Sequence, residues 1–294
     1  MKAFDFLHPV LSSEASLAFE ATLFGGDEAK EWIAMNQAGA AIARQALLDV
    51  QETLGNEPLN TILVLVGKGH NGGDAIIATR HLINRFPSAT AKLLFPSGLS
   101  RIRPLVQRSL DDLQSAHGAN LQFLSLRKNT IGDQLEAFAG DGSIDLCLDG
   151  IFGMQFRPPL RSPLRELIDW VNRNQSIRCR IAVDVPSGVG DTSDADPFRA
   201  DFSYATGIAK QGLFDSDNRK SVGRIRYLDL GFFNGRSVEA GTQVVASSLL
   251  NFRRELRKPQ THKKTFGHLF VVGGSETMPG AILMTVKAAL KSGA

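Results

Sequence analysis

Three short stretches hold the residues best able to do chemistry. "KGHNGGDA" contains Asn71 and Asp74, "CLDGIFG" contains Asp149, and "AVDVPSG" contains Asp184 and Ser187. Asn71, Asp149 and Ser187 offer hard oxygen donors of low total charge. Such a set suits a monovalent or weakly held cation better than zinc, whose usual cluster of His and Cys the sequence lacks. A lone carboxylate after a strand is as easily a cap or a turn residue. Three strand ends that each close on an acid or amide beside glycine say more, because a parallel sheet brings such ends to one rim.

The glycines around Asn71 pose a second question. Gly67, Gly69 and Gly72 spell G-x-G-x-x-G between an apolar run and a helical pattern, the form of a dinucleotide-binding turn. That site calls for an acid about 20 residues on, at the end of the next strand, and "LLFPSG" has none. Asp74, placed in the first helical turn, would repel a pyrophosphate arriving there. A P-loop fails too, because Lys68 precedes the second glycine. Two readings stay open: a backbone that must approach something closely, or a tight strand-to-helix turn capped by Asp74.

These motifs need elements to position them. Apolar or β-rich runs at 61–67, 91–96, 120–126, 144–152, 180–186, 201–207 and 224–231 read as strands, several apolar throughout as for strands covered on both faces. Helical spacing occupies 27–53, 74–85, 103–116, 131–139 and 163–173; in the second, Ala75, Ala78 and Leu82 with Ile76 and Ile83 form a stripe. The alternation predicts βαβ units and an α/β fold: a doubly wound, mostly parallel sheet with helices on both faces.

Composition narrows the function classes. With 43% hydrophobic and 21% charged residues over 294 positions, the chain can bury a sizeable core. A net charge of +3 and a single basic run, "NFRRELRKPQTHKK", argue against nucleic-acid binding. Cys147 and Cys179 sit in apolar runs without C-x-x-C spacing, as buried thiols of a reducing, cytoplasmic compartment do. No run reaches ~18 apolar residues and no signal peptide is evident, so neither membrane insertion nor export is expected.

Taken together, the motifs resemble the NAD(P)H-hydrate epimerases. "GKGHNGGDAIIATRHL" is similar to their "G-x-x-N-N-G-G-D-G" turn, "LDGIFGMQFRPPLRSPL" to "D-A-L-F-G-T-G-L…P-L", and "AVDVPSGV" to "A-V-D-I-P-S-G-L". "ADFSYATGIAKQGLF" and "AMNQAGAAIARQAL" resemble two further segments, and the order agrees over about residues 10 to 235. The resemblance implies a Rossmann-like enzyme that interconverts the R and S forms of hydrated NADH and NADPH, so that an S-specific dehydratase can restore the cofactor. It implies potassium held by Asn71, Asp149 and Ser187. It implies substrate contacts from His70, Asn71, Gly72, Gly73 and Asp74, from Gly153, Met154, Gln155, Phe156, Arg157, Pro158 and Pro159, and from Asp184. Loss and return of water at C6 needs a proton donor and acceptor, for which Asp184 is the first candidate and Asp74 the second. His70 departs from the first asparagine of the family turn, and Met154-Gln155 from "T-G" after Gly153. The alternative is an idle module holding a nucleotide or a protein on the same rim.

The carboxyl-terminal part reads separately. Residues 1–245 form the epimerase-like domain and 246–261 a linker. Residues 262–294, "HKKTFGHLFVVGGSETMPGAILMTVKAALKSGA", resemble the opening strand, glycine turn and helix of an ADP-dependent NAD(P)H-hydrate dehydratase, a ribokinase-like domain, cut short. A dehydratase domain is the expected partner in a longer chain, and an apolar face of the 27–53 helix is a candidate surface for self-association.

Overall fold

The computed structural model describes residues 6–127, 130–236, 238, 240–249, 260–262, 265 and 267–292. The chain divides into two compact units, Met1–Ser247 and Ser248–Ala294.

The first unit is built on a sheet of seven parallel strands. In chain order these are β2 (Thr61–Val66), β3 (Thr90–Phe95), β4 (Leu121–Ser125), β5 (Leu146–Gly150), β6 (Arg180–Val183), β7 (Phe202–Thr206) and β9 (Arg224–Leu228). Their spatial order is β4-β3-β2-β5-β6-β7-β9. Connectivity therefore reverses between β2 and β5, and the carboxyl ends of that pair form the crevice where doubly wound sheets take ligands. The side-chain period of two sorts each strand between two cores. Ile62, Val64 and Val66 face one with α2 (Glu28–Leu54), α3 (His70–Arg85) and α4 (Pro104–His117). Leu63 and Leu65 face the other with α5 (Ile131–Ala139) and α6 (Leu164–Arg173).

Local chemistry sets the helix ends. The Asp27 carboxylate caps α2 by accepting from the amides of Ala29 and Lys30. Gly39 lets α2 settle on α3, since a Cβ there would lie 2.5 Å from Ile77 Cγ2. α3 begins at His70 with Gly69 as its cap, four residues before the position expected from the apolar stripe. Asp74 consequently lies in the second turn and caps nothing, a correction to the sequence reading. The three glycines of that turn carry no periodic signal and so hid the helix start.

A small second sheet, order β10-β1-β8, joins β1 (Leu7–Leu11), β8 (Ala209–Lys210) and β10 (Gln243–Val245). β1 runs parallel to β8, with Leu11 opposite Lys210, and leads into α1 (Ser13–Phe24). Neither β1 nor α1 was expected from sequence. The inward face of α1 is Ser13, Ser16 and Phe19, which is no apolar stripe.

After the short α7 (Arg219–Val222) of the first unit, the second unit forms α8 (Gly280–Lys291). The strand expected at its start is not formed among the described residues: Leu269, Phe270 and Val272 are exposed, 61%, 82% and 95%, with no neighbouring strand to accept them. The basic run at 250–259, with Lys263 and Lys264, lies outside the described residues. No described helix is long and apolar enough to cross a membrane.

Candidate functional site

A cleft of about 550 Å³ opens at the β2/β5 switch point. Its floor and walls include Asn71 and Asp74 from α3, Gly153 to Phe156 after β5, Asp184 after β6, Thr206 from the end of β7, Lys210 from β8 and Glu20 from α1.

The glycine turn answers to the protein rather than to a ligand. A Cβ on Gly67 would stand 2.0 Å from the Ile151 carbonyl oxygen, and one on Gly72 would stand 2.1 Å from that of Gly67. Gly150 in turn lies against the Asn71 carbonyl. These glycines let the start of α3 close onto the end of β5. Gly69, whose added Cβ would meet nothing within 4 Å, faces open space.

Asn71, Asp149 and Ser187 converge on the Phe152 peptide. Asn71 Nδ2 donates to the carbonyls of Phe152 and Val183, each 2.9 Å away. Ser187 Oγ accepts from the Phe152 amide at 3.0 Å and donates to Asp149 Oδ1 at 2.6 Å, while the Ser187 amide donates to Asp149 Oδ2 at 2.7 Å. Asp149 and Ser187 are wholly buried. Burial pushes the Asp149 carboxyl up to about 6, against hydrogen bonds from Ser187 and Ile151 that pull it down.

Asp184 sits in the left-handed region, φ 71°, which costs a non-glycine residue roughly 1–3 kcal/mol and persists where surroundings enforce it. Its amide donates to the Tyr204 carbonyl at 2.9 Å, and its Oδ1 accepts from Lys210 Nζ at 2.5 Å. Both side chains of this ion pair are buried. Asp74, 6% exposed, has no bonding partner for its Oδ1. Burial first, then the charges of Asp184 and Glu20, hold its carboxyl well above the usual range, with Lys210 opposing. At the entrance His70 Nε2 lies 3.4 Å from a Glu31 carboxylate oxygen. Burial lowers the His70 imidazole despite Glu31, and Arg103 adds to the lowering.

Of the residues named from sequence, His70, Asn71, Asp74, Gly153, Met154, Gln155, Phe156 and Asp184 line this cleft. Gly72 and Gly73 pack inward, Gly73 against Met35 of α2. Pro158 and Pro159 line a separate shallow depression with Arg165 and Asp194, and Arg157 turns its guanidinium back onto the Phe156 carbonyl. Sequence reasoning missed Glu20, Glu31, Thr206 and Lys210. The available signals were Thr206 and Lys210 in "ADFSYATGIAKQGLF", a segment matched as a pattern but given no role.

A seven-stranded parallel sheet covered by helices on both faces, with a cleft at its switch point, defines a Rossmann-like, doubly wound α/β protein. The family described as YjeF-related protein N-terminus matches residues 32–212, and the chain belongs to it. Among its relatives, the bifunctional NAD(P)H-hydrate repair enzyme Nnr of Thermofilum pendens is 28% identical over 267 residues, 90% of this chain and 48% of that protein. The protein of the same name from Salinibacter ruber is 27% identical over 97% of this chain and 53% of its own length. That from Thermosynechococcus vestitus is 30% identical over 79% and 44%. The chain thus spans about half the length of the curated relatives it matches. The crystal structure of yeast ynu0, YNL200c, shares the fold, with a TM-score of 0.52 and 22% identity over 67% of this chain and 79% of that one.

Proposed function

We propose that the parallel-sheet unit interconverts the R and S forms of hydrated NADH and NADPH, delivering the S form to a dehydratase. The observation that carries this reading is Asp74: a buried carboxyl, raised well above its usual range and without a partner, facing a fixed Asp184–Lys210 pair in a cleft at the switch point. Burial biases the Asp74 carboxyl toward its protonated form, and in this reading it donates that proton to the hydroxyl on C6 of the reduced ring. The hydroxyl leaves as water, and the ring nitrogen shares the positive charge that develops. The Asp184 carboxylate, fixed by Lys210, lies where it stabilises that charge in a water-poor site. This assigns the proton to Asp74 and the electrostatic role to Asp184, the reverse of the order of candidates from sequence. Lys68 and Arg103 at the cleft wall suit the phosphates of the dinucleotide.

The donor set also fits a potassium ion. Asn71 Oδ1, the Asp149 carboxylate, Ser187 Oγ and the nearby backbone carbonyls are all oxygens, carrying one charge in total. Among the described residues no group of three or more His, Cys, Asp or Glu is placed to hold a metal. A monovalent cation there would keep Asp149 ionised against its burial and tie the turns after β2, β5 and β6 to one another.

The test is a mixture of R and S hydrates supplied with a separate S-specific dehydratase and ATP. The epimerase reading expects all hydrate to be consumed once the chain is added. Persistence of the R form would end it.

A further inference from the structure

The cleft holds an acid that the reaction above leaves unused. Glu20 lines it from α1 beside Asp74, Asp184 and Lys210. α1 is pinned in place, because the Ser13 amide at its start donates to both carboxylate oxygens of Asp191, at 3.1 and 2.9 Å. Asp191 belongs to the connection that carries Asp184 and Ser187. The strand before α1 pairs with the strand that carries Lys210. In the same cleft, Asp74 Oδ1 is buried with no partner, and a buried polar atom left so in a native structure calls for an explanation such as strain, a bound water or ion, or a catalytic role.

Epimerisation asks for more than one acid supplies. Water leaves C6 on one face and returns on the other, so the proton given at departure and the proton shed on return are handled at two places. We propose that Glu20 is the second acid–base group of the cleft, accepting the proton of the returning water while Asp74 supplies the proton of the departing one. This rests on the epimerase reading. The Asp74 proton passes to the C6 oxygen, the C6–O bond breaks with its electron pair on oxygen, and water departs. A water oxygen then bonds to C6 on the opposite face, and its proton goes to the Glu20 carboxylate. Exchange between Glu20 and Asp74, directly or through cleft water, restores the starting state with no net proton and no oxidant.

The groups facing Glu20 set its working range. Lys210 comes from β8, Asp184 from the end of β6, Glu31 from α2, and Asp74 and His70 from α3. Burial pushes Glu20 up to about 7, Lys210 opposes, and Asp184 and Glu31 add to the rise. Glu20 therefore exchanges protons near neutrality.

The experiment is Glu20→Gln in the full chain. Because Glu20 works as a base, its active form accumulates as pH rises through about 7, and the variant loses that rising limb of the kcat/KM profile. We expect kcat to fall by at least about tenfold, KM to stay within about threefold, and Glu20→Asp to recover part of the loss. A second reading needs no turnover: the 13C carboxyl titration of Asp74 shifts to lower pH in Glu20→Gln, since the Glu20 charge helps hold Asp74 up. An active wild type with an unchanged pH profile and turnover in Glu20→Gln overturns the role of Glu20 alone. A wild type that leaves the R hydrate untouched overturns the epimerase reading and this role with it.

Discussion

Asp184 and Lys210 form a buried ion pair, and removing one member leaves the other's charge without compensation, at roughly 3–5 kcal/mol. Loss of activity in Asp184→Asn therefore mixes chemistry with stability, and a second change separates them. Asp184→Asn is expected to lower the thermal midpoint and to slow epimerisation by about two to four decades. Adding Lys210→Met removes the stranded ammonium, so the midpoint recovers while turnover does not. Turnover that recovers with the midpoint would make the pair structural. Asp149 allows a parallel argument about the ion. Its wholly buried carboxyl accepts three hydrogen bonds and, among the described residues, forms no ion pair with a Lys, Arg or His side chain. Potassium is expected to raise the melting temperature of the wild type more than sodium does at equal ionic strength. Asp149→Ala should lose that difference and part of its activity. Indifference of the wild type to both cations would remove the ion from the site.

At the scale of elements, the turn between β2 and α3 is where the fold and the site meet. Gly67 and Gly72 stand against backbone, which cannot step aside, so Gly67→Ala is expected to destabilise by about 3 kcal/mol or more. Gly69 is open, and Gly69→Ala should cost less than about 1 kcal/mol as a change at a helix cap. In a dinucleotide turn the second glycine is the one that admits the pyrophosphate. Gly69→Ala that is stable yet binds substrate poorly would place the phosphates there, and unchanged binding would place them elsewhere in the cleft. The two alanines are compared by chemical denaturation and by substrate KM. Much of this region was legible in the sequence. Asn71, Asp149, Asp184 and Ser187 follow apolar strand runs, and parallel topology sends every such end to one rim. That Glu20 and Lys210 meet in the cleft was not legible, for a physical reason. They arrive on α1, whose buried face is two serines and a phenylalanine, and on the two-residue β8, positioned by the pairing of Leu11 with Lys210 across the length of the unit. Neither has a periodicity, and a pairing between distant short strands leaves no local trace.

For the whole molecule, the division at Ser247/Ser248 decides what the remaining chain contributes. The first unit contains every residue of the cleft, both faces of its sheet are covered, and the small sheet that holds Lys210 closes within it through β10. The second unit contains α8 and a run of exposed apolar side chains: besides Leu269, Phe270 and Val272, those of Met278, Met284 and Leu290 are 75%, 68% and 69% exposed. Apolar surface of this kind calls for a covering that the described residues of that unit do not supply. Its sequence resembles the start of a ribokinase-like dehydratase domain, but among the described residues of this unit a helix stands without a sheet, which does not enclose a nucleotide. The chain is therefore expected to epimerise hydrates and to regenerate no NADH with ADP or ATP. Ending it at Thr261 should leave the epimerisation rate within about threefold and reduce aggregation on heating, because the exposed apolar residues leave with the segment. Absorbance of the reduced nicotinamide, followed on the purified S hydrate, checks the first expectation, and light scattering during a thermal ramp checks the last. ADP-dependent recovery of that absorbance by the 294-residue chain alone would show that the second unit completes a nucleotide site after all.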